Sequence, residues 1–125
     1  MSANFQVFKK IMERKSFPAG ATIFREGDTA TNAFVVLRGD VAITTVNAQG
    51  KSIHLTDVKV GQIFGELALM QSGISRTATA STAQGCELMV ISHTTLKEKL
   101  DSADPFLRFW MQYLSERVID LSKRV

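Results

Sequence analysis

Through the middle of the chain the apolar residues fall into short β-rich runs, ATIF, AFVVL, DVAITTV, SIHL, TATAS and ELMVI. They are set off by Gly27-Asp28, Gly39-Asp40, Gln49-Gly50, Gly61, Gly73 and Gly85, and runs of this length between turn residues read as strands. Their spacing predicts a small antiparallel barrel or sandwich of seven or eight strands over about residues 20–91. Helical periodicity flanks this region on both sides. Phe5, Phe8, Ile11 and Met12 recur at helix spacing until Pro18 and Gly20 interrupt, which predicts an amphipathic helix over about residues 4–15. After Ile91 two helices are expected over 92–125. Ser92 and Thr95 are both candidate caps for the first, the latter in capping-box spacing with Glu98. Asp104-Pro105 supplies an N-cap and an N1 proline for the second.

A length of 125 residues with 45% hydrophobic content suits one packed domain, and no linker, repeat or low-complexity tract divides the chain. The formal charge of +3 comes wholly from the first 20 residues, where Lys9, Lys10, Arg14 and Lys15 face Glu13 alone. The balanced remainder carries no nucleic-acid footprint, and no direct nucleic-acid partner is expected. Neither a signal peptide nor an apolar run of membrane-spanning length is present, and a lone cysteine, Cys86, permits no internal disulfide. A cytoplasmic protein without membrane contact is the expectation.

Against this background one stretch stands out. FGELALMQSGISRTAT, residues 64–79, is built of apolar and small residues but carries one carboxylate, Glu66, and one guanidinium, Arg76, ten positions on. Gly65 permits a tight turn and close backbone approach. The following ELALM favours a short helix, whose first N–H groups, those of Glu66, Leu67 and Ala68, would be open to an anion. Arg76 returns from the Gly73 turn with a planar fork suited to phosphate oxygens. A carboxylate beside an anion needs another task, such as accepting from a sugar hydroxyl. The set describes a sugar phosphate; a plain Glu66–Arg76 ion pair across a surface hairpin is the competing reading.

FGELAL followed by RTATA resembles the phosphate-binding cassette of the cyclic-nucleotide-binding domains, as in the catabolite activator protein, protein kinase A regulatory subunits and cyclic-nucleotide-gated channels. The resemblance extends upstream through PAGATIFREGDTATNAFVVLRGDVAI and downstream into the closing helices, about residues 5–125. It implies a mainly β fold, an eight-stranded antiparallel, jelly-roll-like β-roll with one N-terminal and two C-terminal helices, and a single binding domain over residues 1–125. By the same resemblance Gly65, Glu66, Leu67 and Ala68 offer backbone N–H groups to a cyclic phosphate. Glu66 takes the ribose 2′-hydroxyl, Arg76 pairs with the phosphate, and Thr77 reaches the phosphate or a syn guanine. The Glu66-to-Arg76 spacing is that of the bacterial activator type, one residue longer than the kinase type, and Ser75 stands where proline is common. The ligand implied is cAMP in preference to cGMP, bound by a sensor or regulatory module rather than an enzyme.

The other chemistry-bearing residues point elsewhere than to catalysis. His54, His93 and Cys86 are scattered singly, so neither a metal site, an iron–sulfur cluster nor a metal-dependent oxygenase centre is expected, and no cofactor or catalytic residue is assigned. Arg38-Gly39-Asp40 spells an adhesive tripeptide but sits at a predicted strand turn. In the last helix Leu107, Met111, Leu114, Val118, Leu121 and Val125 are spaced 4, 3, 4, 3, 4, a heptad stripe that favours a parallel homodimer. A second apolar set includes Trp110 and Tyr113, candidate caps for the bound base. The resembling activators continue into a helix-turn-helix, whereas this sequence stops at Val125, so a free-standing module or the sensor fragment of a larger transcription regulator is expected. The alternative class is a ligand-free β-roll serving structure or protein interaction.

Overall fold

The computed structural model describes residues 12–70 and 73–123. Its ten strands are β1 (Glu13–Phe17), β2 (Thr22–Phe24), β3 (Thr29–Ala30), β4 (Asn32–Gly39), β5 (Val41–Val46), β6 (Ser52–Val58), β7 (Ile63–Phe64), β8 (Ile74–Ser75), β9 (Thr79–Ser81) and β10 (Cys86–Ser92). Three helices accompany them: α1 (Leu67–Met70), α2 (His93–Asp101) and α3 (Pro105–Lys123). The strands pair antiparallel into a sheet of order β1-β10-β4-β7, a second of order β2-β9-β5-β6, and the small pair β3-β8. This is a β-roll with flanking helices, mainly β as the sequence suggests. The count among the described residues is roughly that expected, since β3, β7 and β8 are two-residue pairings too short to show any periodicity.

The two larger sheets face each other across one apolar core. From the first come Phe34 and Val36 of β4 and Leu88 and Val90 of β10; from the second side come Val41, Val58 and Ala80, with Ile23, Phe24 and Ile43 packed against them. The alternate residues Val35, Leu37, Met89 and Ile91 are buried as well, in a cluster on the opposite face of the first sheet that takes in Met12 and Leu69 of α1. AFVVL and LMVI are therefore continuous apolar runs because β4 and β10 are covered on both faces. In contrast, β6 is exposed along six of its seven positions, and its His54 makes an outward hydrogen bond with Asp57, Nε2 to Oδ1 at 2.9 Å.

The helix expected over 4–15 is corrected at its end. Residues 13–15 belong to β1, where Glu13 pairs with Val90 and Lys15 with Leu88, so hydrogen bonding to the edge of β10 outweighs helical spacing there. The rest of that expected helix, residues 4–11, lies outside the described residues. Of the two candidate caps for α2, the structure uses Ser92: its Oγ accepts from the Thr95 N–H at 2.9 Å. Asp104 Oδ1 accepts from the Phe106 N–H at 2.9 Å and opens α3. Gly39, at the tripeptide turn between β4 and β5, has φ +80°, and a side chain there would run into the Gly85 carbonyl and Cys86. Burial pushes the Cys86 thiol above its ordinary pKa, with a Thr82 hydrogen bond acting the other way, so it is an inert thiol within the core.

Leu88 is fully buried between the sheets. Leu88→Ala is expected to lower unfolding free energy by about 2–5 kcal/mol in urea titration, whereas Leu55→Ala on the exposed strand β6 should change it by under about 0.5 kcal/mol.

Candidate ligand-binding site

Strand β7 ends against β4, and Gly65 then turns the chain with φ +70° directly into α1. The turn closes through Ala68 N–H to the Gly65 carbonyl at 3.2 Å and Leu69 N–H to the Glu66 carbonyl at 3.0 Å. This revises the expected donor set, because the Ala68 N–H is spent inside the turn. Among the described residues the N–H groups of Glu66 and Leu67 have no protein acceptor.

Arg76 lies between β8 and β9, and its backbone is clamped to the β2–β3 turn: its N–H donates to Asp28 at 2.7 Å and its carbonyl accepts from Gly27 at 2.8 Å. The side chain thereby enters the seam between the two large sheets. Nη1 donates to the Gly65 carbonyl at 3.3 Å and Nη2 to the Asn32 carbonyl at 2.6 Å. The guanidinium carbon sits 4.0 Å from the centroid of the Phe24 ring and 5.9 Å from that of Phe34. Of the five donors a guanidinium carries, three remain, and one of them, Nε, is buried without a partner. Burial lowers the Arg76 pKa from its ordinary value, Asp28 opposing, yet an arginine keeps its charge.

Glu66 is exposed and does not meet this cation. The charged contacts among the described residues are Arg14–Glu87 and Lys59–Asp40, with a His54–Asp57 hydrogen bond beside them, and none joins Glu66 to Arg76. The competing hairpin ion pair is absent. Instead Gly65, Glu66, Leu67, Ala68, Arg76 and Thr77 all line one cavity of about 290 Å³. Its walls are completed chiefly by Ile43, Val58, Ile63 and Phe64, with Thr56 as an additional hydroxyl. Small-molecule sites start at about this size and have this mixture of apolar wall and few polar groups. A larger cavity of about 450 Å³ lies on the other side of Arg76, bordered by Lys15, Asp28 and Ser92, but Glu66, Leu67 and Thr77 do not line it. The open donors and the Glu66 carboxylate thus gather at the smaller one.

Trp110 and Tyr113 are placed elsewhere. Both are exposed on α3, 43% and 42%, in an aromatic row with Phe106 and Phe109, and neither lines either cavity. The cassette is instead linked to the closing helices through His93, whose Nδ1 donates to the Leu69 carbonyl of α1 at 3.0 Å. Three features escaped the sequence reading: Phe24 beneath the guanidinium, the Asn32 carbonyl on it, and Thr56 in the cavity wall. Each reaches the site from a distant strand and has no local motif to mark it. No group of three or more His, Cys, Asp or Glu residues among those described is placed to hold a metal ion, and no described helix is long and apolar enough to cross a membrane.

A β-roll carrying this turn, this arginine and this cavity is a binding fold, and the family model of the cyclic nucleotide-binding domain matches residues 14–103; the chain belongs to that family. Among curated relatives it is 30% identical over 109 residues to the cAMP-activated global transcriptional regulator CRP of Haemophilus influenzae, an alignment covering 87% of this chain and 49% of the relative. The chain thus spans about half the length of the curated relatives it matches. The N-terminal domain of a transcriptional regulator from Streptomyces coelicolor shares the fold, with a TM-score of 0.79 at 22% identity over 100% of this chain and 86% of that one. Two structures of the EAL enzyme Bd1971 are similar. The cAMP-bound form has TM-score 0.67 and 26% identity, covering 85% of this chain and 28% of that one. The cGMP-bound form has TM-score 0.68 and 25% identity, covering 90% and 30%.

A Cβ added at Gly65 would stand 2.7 Å from Arg76 Nη1, whereas one at Gly20, φ +82°, would meet nothing within 4 Å. Both alanine variants should lose about 1–2 kcal/mol to left-handed strain. Gly65→Ala should lose measurably more in urea titration, the excess reporting the displaced guanidinium.

Proposed function

We propose that the chain, with residues 1–125 acting as one unit, binds a 3′,5′-cyclic nucleotide in the 290 Å³ cavity and acts by binding rather than by catalysis. The observation that carries this is that Arg76, whose Nε is buried without a partner, lines the same cavity as Glu66 and Leu67, whose N–H groups are open, and that the Glu66 carboxylate is unpaired. Arg76 and the N–H groups of Glu66 and Leu67 take the cyclic phosphate, and Glu66 accepts from the ribose 2′-hydroxyl. Thr77 and Thr56 are the hydroxyls available to phosphate or base. Adenine needs few directed contacts, and the cavity wall is largely apolar, so cAMP is favoured over cGMP. The cAMP-activated relatives support the same order.

The longer relatives support the reading of this unit as the sensor part of a regulator; nucleic-acid contact by these residues is no part of the proposal. A homodimer through α3 belongs to it. Leu107, Met111, Leu114 and Val118 are 56%, 43%, 49% and 36% exposed along one stripe, while Phe106, Phe109, Trp110 and Tyr113 are exposed beside it. A single copy leaves Leu107, Met111 and Leu114 largely exposed, and pairing with a second copy would bury them. Trp110 and Tyr113 would cap the base once α3 closes on the occupied cavity.

Calorimetric titration with cAMP and cGMP tests the assignment. Arg76→Ala is expected to weaken binding about thirtyfold or more, because the phosphate loses its charged partner. Ligand at a hundred times its dissociation constant should raise native stability by about 2.7 kcal/mol. No thermal shift with either nucleotide would leave the ligand-free structural role in its place. For the dimer, Leu114→Glu buries an unpaired carboxylate in the seam and should give a monomer by sedimentation, with nucleotide affinity changed less than about threefold.

A further inference from the structure

We infer that Phe24 is a positioning residue for the ligand-binding arginine: its ring fixes the plane of the Arg76 guanidinium before any ligand arrives. The inference rests on the cyclic-nucleotide reading above and adds to it a residue outside the cassette.

The geometry is specific. Phe24 is the last residue of β2, and its pairing with Ala80 of β9 fixes its backbone close to the strand that follows Arg76. Its ring is backed by Phe34 and Phe64, with centroids 6.0 Å away in both cases, and those two rings stack on each other at 5.3 Å. Phe24 therefore cannot swing away without opening the core. The guanidinium carbon lies 4.0 Å from its centroid, well inside the range at which a ring quadrupole attracts a cation.

Gly65 closes the site from another side, since a Cβ there would be 3.5 Å from Phe24 Cε2 as well as 2.7 Å from Nη1. The carbonyls of Gly65 and Asn32 hold the two Nη atoms. Two carbonyls set the fork's direction, and the ring removes its remaining freedom to tilt. The donors left over are then presented to a phosphate without reorganisation, which strengthens binding by lowering its ordering cost. An aliphatic side chain of similar bulk would fill the space and leave the plane free.

The test has two arms. In ¹⁵N-labelled free protein the Arg76 Nε–H is expected to be slow to exchange and shifted upfield by the ring, and Phe24→Leu should abolish that shift. An unshifted, rapidly exchanging Nε–H in the unmodified chain overturns the contact itself. In the second arm cAMP is titrated against Phe24→Leu, Phe24→Tyr, Arg76→Ala and the Phe24→Leu/Arg76→Ala double variant. Phe24→Leu is expected to weaken binding about tenfold, Phe24→Tyr, which keeps the ring, less than about threefold, and Phe24→Leu in the Arg76→Ala background less than about twofold.

Equal losses in both backgrounds, or no loss in either, overturn the positioning role while the cyclic-nucleotide reading stands. Binding of neither cAMP nor cGMP by the unmodified chain overturns that reading and the ligand role of Phe24 together, leaving the resonance shift to report the contact alone.

Discussion

A guanidinium taken partly out of water without a carboxylate partner has few stable surroundings, and the site around Arg76 is organised to provide one. A ring lies under it, two main-chain carbonyls accept from it, and a glycine leaves room for it. Each comes from a different part of the chain: Phe24 from one large sheet, Asn32 from the other, Gly65 from the turn before α1. The cation therefore ties the β-roll's two sheets to its cassette. Because carbonyl dipoles and a ring quadrupole satisfy it only in part, it keeps donors for an anion. A full ion pair with Glu66 would have stabilised the empty protein and closed the site.

The rest of the fold supports this arrangement through the first sheet. β4 and β10 are apolar on both faces, so one face makes the core shared with the second sheet and the other receives Leu69 of α1. The cassette helix is only four residues long and would not form alone in water. Packing on β4 and β10 is what holds it, and with it the orientation of the Glu66 and Leu67 N–H groups. The same strands supply Asn32 and, at the paired position, Ser92, which caps α2.

How much of this was legible in the sequence follows from how local each feature is. Glycine-punctuated β runs pointed to a small antiparallel barrel or sandwich, and the resemblance carried by FGELAL and RTATA narrowed it to a β-roll with its cassette, a turn, a helix start and an arginine contained in one segment. The Asn32 carbonyl lies 44 residues from Arg76 and belongs to the main chain, which no residue type announces. Phe24 looked like any core-facing strand residue; its second role depends on which side chain lies above it. Residues 13–15 follow a helix-like pattern that ends at Met12 but take the strand form because a sheet edge was available to them, a tertiary decision over a weak local preference. Two-residue strands such as β3 and β8 carry no periodicity to read.

The His93 bond to the Leu69 carbonyl joins the cassette to the start of α2, the helix that leads into a long rod. From α2 the chain passes through Ser102, Ala103 and Asp104 into α3, whose 19 residues extend about 28 Å at 1.5 Å per residue. Such a rod is a lever with its fulcrum near Pro105. A tilt of about 5° at that end carries Lys123 sideways through about 2.5 Å. A rotation that is small where the two closing helices join is thus magnified along α3 into a displacement of atomic size at its far end.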